Sequence, residues 1–411
     1  MKKSLYFCII LPLLLMPVRL MGQERADSAD VCRGTQSTAS LVGTSVAAGL
    51  LIGEGGITRA AMFPLGDISN LSARNSTAVD ILQFVPVTFS WIAKACGVKT
   101  RSSWGRMAVS QAFGGLLEEG IVWTSKKVIK AQRPGRSGKN SFPSGHTARA
   151  FFGATAGAIE YGESMPELAL AGYAFALGVG TQRAMSNMHL PADVVAGAGV
   201  GILAAEAGYL LGDLIFGKGR PHGSAGDYDA CDRFRLSVAT GLDFPTTKTI
   251  VGGTKIGRWA ALRSSVDGQL FFSNHWGLIV SCFMQAMPLS IGDIYAGSLN
   301  SISLGVGPMY RLPFAGGMSL DFVLQGAYGL HLNRNLCEAF MAKRALWEGR
   351  AMAEFTYPLT RRLACRASVG YAVAGSTYCL LPSSNFGIVA PAEANVLTGS
   401  VTTSIAAVVS F

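Results

Sequence analysis

The hydropathy period of this chain changes once, across the small, polar, turn-rich segment GKGRPHGSAGDYDACD from Gly217 to Asp232. Before it, from Thr38 to Gly217, long Ala-, Gly- and Leu-rich segments run without strand alternation. That pattern predicts helices over 38–54, 77–96, 104–131, 145–162, 166–184 and 191–216. Pro134, Pro143, Pro166 and Pro191 punctuate the loops between them. After the segment the period is two. Stretches near Arg233–Phe244, Trp259–Phe271, Gly277–Met287, Ser301–Arg311, Ser319–Leu330, Arg350–Tyr357, Ala364–Val373 and Thr398–Phe411 alternate apolar with small or polar residues, separated by Gly, Pro, Asn and Ser turns. The two periods describe an α + β, two-domain chain: a six-helix bundle over 23–217, a linker over 218–232 and an antiparallel β-barrel of about eight strands over 233–411.

The first 22 residues, MKKSLYFCIILPLLLMPVRLMG, combine two lysines, an apolar run and a small residue at the end. This is the pattern of a cleavable secretory signal, with an apolar part short for a bilayer span. Export puts seven cysteines in an oxidising compartment. Cys337 and Cys379 fall in apparent loops of the C-terminal half and are a candidate disulfide; none of the seven has metal-ligand spacing. Charged residues make up only 15% of the chain, which excludes a disordered protein and points towards lipid. The net charge of +10 comes without a basic run or an aromatic-studded basic stripe, so nucleic acid is not an expected partner. A positive excess of this kind suits anionic head groups or phosphate.

Eight alternating strands in roughly 180 residues suit the smallest bacterial outer-membrane barrels. The final strand, VTTSIAAVVSF, ends on Phe411 and resembles the C-terminal signal of such barrels. The helix expected over 104–131 carries Glu118 and Glu119 at its middle, where a bilayer penalises charge. The helical half is therefore expected in the periplasm or at a membrane interface, with an inner-membrane location as the alternative.

Three clusters between residues 126 and 193 carry candidate chemistry. The first places Lys126 seven residues before Arg133-Pro134; the second is Pro143-Ser144-Gly145-His146; the third sets Arg183, His189 and Asp193 in order. One lysine and two arginines supply charge-assisted donors to phosphate oxygens. Ser144 and Gly145 stand at an expected helix start, where unpaired amides favour an anion. Two histidines can divide nucleophile from general acid, and a carboxylate four residues after His189 can orient its ring. Each residue alone has an ordinary structural use. The ordered combination describes a phosphoryl-transfer site.

These clusters resemble the signature of the type 2 phosphatidic-acid phosphatase superfamily, which includes lipid phosphate phosphatases and vanadium haloperoxidases. The likeness covers about 70 residues strictly. It implies that Lys126, Arg133 and Arg183 bind phosphate, with Ser144 and Gly145 adding hydrogen bonds. It further implies that His189 is the nucleophile of a phosphohistidine, His146 the acid on the leaving oxygen and Asp193 the partner of His189, with no metal and no cofactor. One departure is visible: Gln182 stands where the family usually has Ser; glutamine can still donate to a phosphate oxygen, so changed affinity rather than loss of chemistry is expected. The arrangement of helical half plus barrel resembles two-domain lipid phosphatases of some Gram-negative bacteria. The resemblance implies a metal-independent phosphatase of a phosphorylated envelope lipid, lipid A first, in the outer membrane with the phosphatase half in the periplasm. Undecaprenyl pyrophosphate and phosphatidylglycerophosphate are the alternative substrates. A structural barrel with an inactive helical domain is the non-enzymatic alternative. His222, His275 and His331 have no expected catalytic role.

Overall fold

The computed structural model describes residues 31–61, 77–134, 138–217, 234–360 and 362–410. The expected signal (1–22) and linker (218–232) lie outside the described residues, as does Phe411. The helices are α1 (Val31–Ala61), α2 (Thr77–Leu82), α3 (Val85–Ala95), α4 (Trp104–Ile129), α5 (Gly145–Tyr161), α6 (Pro166–Met185) and α7 (Pro191–Phe216). Among the described residues there are seven where the sequence pattern predicts six. The expected 77–96 helix divides at Gln83 and Phe84, because Pro86 in the first turn of α3 has no amide to continue the ladder from Leu82.

Helix α7 lies at the centre, packed on α1, α4 and α5. Its glycines set the distance to α5: a Cβ at Gly197 would stand 2.5 Å from the Ser144 carbonyl oxygen, and one at Gly201 would stand 2.1 Å from that of Ala148. This close approach of two backbones puts the N-termini of α5 and α7 side by side.

The C-terminal half is one antiparallel sheet of eleven strands: β1 (Phe234–Pro245), β2 (Thr249–Val251), β3 (Thr254–Arg258), β4 (Ala261–Phe271), β5 (Trp276–Ile291), β6 (Ile294–Pro313), β7 (Ser319–His331), β8 (Asn335–Cys337), β9 (Phe340–Pro358), β10 (Leu363–Leu380) and β11 (Ala392–Ser410). The pairings β1–β4–β5–β6–β7–β9–β10–β11–β1 return to their start, so the ladder is closed. The count exceeds the expected eight because β2, β3 and β8, of three to five residues, are too short to show alternation. β2 and β3 form a hairpin on β5, and β8 adds to β9. Several long strands also outrun their expected ends. β6 begins at Ile294 rather than Ser301, because from Tyr295 to Ser301 both faces are buried and the alternation disappears.

The polarity of the sheet is inverted relative to a water-soluble barrel. Inward-facing residues form a charge network, with Arg263 Nε donating to Asp243 Oδ2 (2.7 Å), Arg366 Nη2 to Asp267 Oδ2 (2.8 Å) and Arg311 Nε to Asp321 Oδ1 (2.9 Å). Outward rows expose Val266, Leu270, Val280, Leu304, Val306 and Leu324. This is the alternation of a strand with lipid on one face and a filled polar interior on the other. The expected Cys337–Cys379 disulfide is absent: both are free thiols. They sit on β8 and β10, which flank β9 on opposite sides. Two strand spacings, about 9.6 Å, exceed disulfide reach.

The helices pack on the outer wall of the barrel. Val238, Leu242, Leu262, Ala286, Leu363 and Val409 are buried in one cluster with Ala176, Leu177, Ala198 and Ile202. Thr181 Oγ1 donates to Ser264 Oγ (2.7 Å) and Asn300 Nδ2 to the Met185 carbonyl (3.1 Å).

Candidate active site

The three clusters meet where α5 and α7 begin. Ser144 is the residue before α5; its amide donates to the Asp193 carbonyl (2.9 Å), and its hydroxyl accepts from Thr147 Oγ1 (2.9 Å) without capping the helix. The first amides of α5 have no acceptor within the helix, which leaves an anion site at a positive dipole end. A Cβ at Gly145 would stand 3.3 Å from Lys126 Nζ. The ammonium at the end of α4 is thus held against that helix start, and glycine leaves room for it.

Arg183 is fully buried near the end of α6. Its carbonyl accepts from the amides of Met188 (3.1 Å) and His189 (3.2 Å) as the chain turns through Asn187, whose φ of 54° is one that asparagine adopts readily. That turn carries His189 back beside the arginine. Asp193, on the first turn of α7, accepts from the Leu190 amide through Oδ2 (3.0 Å). The same Oδ2 lies 3.8 Å from His189 Nδ1, and Ser141 Oγ sits between them, 2.6 Å from the carboxylate and 3.4 Å from the ring nitrogen. Asp193 Oδ1 faces the guanidinium of Arg59 from α1, 3.7 Å from its Nε. The Nδ1 side of His189 thus faces the carboxylate and the Ser141 hydroxyl.

The electrostatics follow from burial among cations. Burial, with Arg133 and Arg183 nearby, pushes the His189 imidazole down to about 3, so the ring is neutral at neutral pH. Burial opposes ionisation of Asp193, but Arg59, the His189 hydrogen bond and Ser141 together hold it below the usual carboxylate range. Burial, then Arg133, lowers the Lys126 ammonium. Burial and Arg183 lower His146, against a raising contribution from Asp80, whose Oδ1 is 2.8 Å from His146 Nε2. Glu118, one helical stretch above Lys126, is raised to about 7 by burial.

All eight residues singled out in the sequence therefore surround one place. Gln182, where the family usually has Ser, donates through Nε2 to Ser186 Oγ (2.8 Å). Four residues that touch the site carry no local sequence signal except one. Ser141 lies two positions before Pro143 in the second cluster, whereas Asp80 and Arg59 arrive from distant helices. From the barrel, Tyr295 packs on Leu190 and Ala192, with Trp259 beside it. Among the described residues, no group of three His, Cys, Asp or Glu side chains is placed to hold a metal.

The PAP2 superfamily model matches from α4 to the end of α7. The match spans residues 104–213. The PAP2 segment contains every one of the eight site residues; Arg59, Asp80 and Tyr295 lie outside it. Over 142 residues the chain is 44% identical to the lipid A 1-phosphatase of Porphyromonas gingivalis, a stretch amounting to 34% of this chain and 32% of that protein. The chain thus spans about a third of the length of the curated relative it matches. Among solved structures, OprG from Pseudomonas aeruginosa is 13% identical with a TM-score of 0.37, covering 45% of this chain and 98% of its own. Ail from Yersinia pestis is 14% identical with a TM-score of 0.22, covering 42% and 98%.

Proposed function

We propose that the protein is a lipid phosphatase of a Gram-negative cell envelope that works through a phosphohistidine, and that lipid A is its substrate. The observation that carries this reading is the neutral His189 ring, its Nδ1 side held by Asp193 and Ser141, standing among Lys126, Arg133 and Arg183. His189 Nε2 attacks phosphorus while the three cations and the α5 amides take the charge of the equatorial oxygens. The bond to the lipid oxygen breaks, and that oxygen receives the proton of His146. Water then attacks the phosphohistidine and gives its proton to His146, which returns the enzyme to its starting state. The Porphyromonas relative supports lipid A as substrate, and the barrel supports an envelope location, its apolar rows facing the outer membrane and its charges turned inward. The helices border the bilayer on the barrel wall, exposing Leu50, Ile57, Phe89, Leu116 and Trp123.

The test is phosphate release by the detergent-purified protein from lipid A, undecaprenyl pyrophosphate, phosphatidylglycerophosphate and phosphatidic acid, with and without a chelator. Chelator-resistant release greatest from lipid A is expected. Preference for another lipid overturns the substrate, and no release from any of them overturns the enzyme.

The Asp80 contact makes a separate prediction. Its hydrogen bond raises the His146 affinity for a proton. Asp80→Asn is therefore expected to move the alkaline limb of the kcat profile to lower pH and to reduce kcat about tenfold at neutral pH, within the range that general acids supply. A profile superimposable on that of the parent protein would remove Asp80 from the mechanism.

A further inference from the structure

A cavity of about 260 Å³ lies between the helices and the barrel wall, well away from the candidate active site. Phe151, Thr155 and Ile202 line it from the helices, and Val238, Leu363 and Ile405 line it from the strands. Thr155 is nine residues past His146 on α5, about 14 Å along the axis at 1.5 Å per residue. The wall is chiefly apolar, and its polar side chains bond one another: Thr155 Oγ1 with Tyr173 Oη (3.0 Å), and Thr44 Oγ1 with Glu206 Oε1 (2.6 Å). A space of this kind is poorly suited to water and well suited to an apolar chain.

The strand side of the cavity indicates which chain. Leu363 and Cys365 stand in the outward row of β10, and the same row continues to Val369 and Tyr371, which are exposed. The cavity is therefore a covered stretch of the surface that elsewhere faces bilayer chains. Its rim holds Arg101 and Asp213. Arg101 Nη2 donates to Asp213 Oδ2 (2.6 Å), and Arg106 also donates to Asp213. Two guanidiniums share one carboxylate, and Arg101 Nη1 and Arg106 Nε are buried without a hydrogen-bond partner. Those donors match the oxygens of a phosphate.

We propose that this cavity is a second lipid site, distinct from the catalytic one, which holds an acyl chain of an anionic phospholipid with its phosphate at Arg101 and Arg106. The assignment rests on the reading of the barrel as membrane-spanning. The lipid is a bound structural partner at the joint between helices and wall, and no bond in it is made or broken.

The experiment is native mass spectrometry of the full chain released from detergent micelles after incubation with dioleoylphosphatidylglycerol or dioleoylphosphatidylcholine. One phosphatidylglycerol per chain is expected to survive collisional activation, with phosphatidylcholine retained at least about fivefold less. The paired substitution Ala158→Phe and Ala407→Phe, which fills the cavity, is expected to abolish retention while leaving phosphate release within about twofold. His189→Ala is expected to retain the lipid, which separates this site from the catalytic one. Retention unchanged in the filled variant overturns the site. Equal retention of the two phospholipids, or no change in Arg101→Gln, overturns the head-group assignment. A parent chain that stays dispersed without detergent overturns the membrane reading itself, independently of the lipid count.

Discussion

Replacing His189 with alanine is expected to reduce phosphate release at least about 10³-fold, which corresponds to about 4 kcal/mol of lost transition-state stabilisation. The ring is buried with its Nδ1 side turned to Asp193 and Ser141, and alanine removes the nitrogen proposed to attack. The loss should fall on kcat, since Lys126, Arg133 and Arg183 still gather the phosphate. His189→Gln keeps most of the volume and separates chemistry from packing. Both variants should fail to form a phosphoenzyme on rapid denaturation with alkali, under which the parent protein should accumulate a base-stable adduct. Residual turnover above about a tenth of the parent rate in the glutamine variant would refute the nucleophile assignment.

Asp193→Asn carries the second large effect, on both rate and stability. The amide cannot hold the His189 tautomer as a carboxylate does, and a fall of about 10²–10⁴ in kcat is expected, by analogy with orienting aspartates in acyl-transfer triads. Arg59, buried and facing Asp193 Oδ1, is left opposite a neutral group. Breaking one side of a buried pair typically costs about 3–5 kcal/mol. The sign of the pH dependence follows from the direction of the shift. Asp193 is held below the usual carboxylate range, so its contribution is complete above the unfolded value and is lost as pH falls through the folded one. The stability gap between parent and variant should therefore be full at neutral pH and close only in strong acid. Thermal unfolding of the helices, followed by far-ultraviolet circular dichroism at several pH values, measures it. A gap that widens on acidification would show that Asp193 is not ionised in the folded protein.

Much of this architecture is local in origin. Pro166 and Pro191 open α6 and α7 at the expected residues, because a ring-locked φ with no amide suits a first helical turn. The strands were legible wherever one face is small or polar and the other apolar, as along Ser301–Gly307 of β6. They became illegible where the helices or the β2–β3 hairpin cover the outer face, since burial on both sides erases a period of two. The Cys337–Cys379 pairing failed for a related reason: loop-like composition says nothing about which strands flank which.

The candidate site divides in the same way. Lys126, Arg133, Ser144, Gly145, His146, Arg183, His189 and Asp193 could be singled out because the phosphoryl transfer proposed for them asks for particular residue types at spacings set by one helix end or one turn. At Gln182 the sequence names an amide, and the structure adds the Ser186 hydroxyl that accepts from it. Sequence alone determined the two periods, the place where they change and the eight chemical groups. Only the tertiary structure decided that Asp80 reaches His146, that Arg59 faces Asp193, that Tyr295 of the barrel packs on Leu190 and Ala192 and that the helices lie along the outer wall. The reason is physical: the first set depends on spacing within a few turns of chain. The second depends on close packing of elements tens to hundreds of residues apart, which no local pattern encodes.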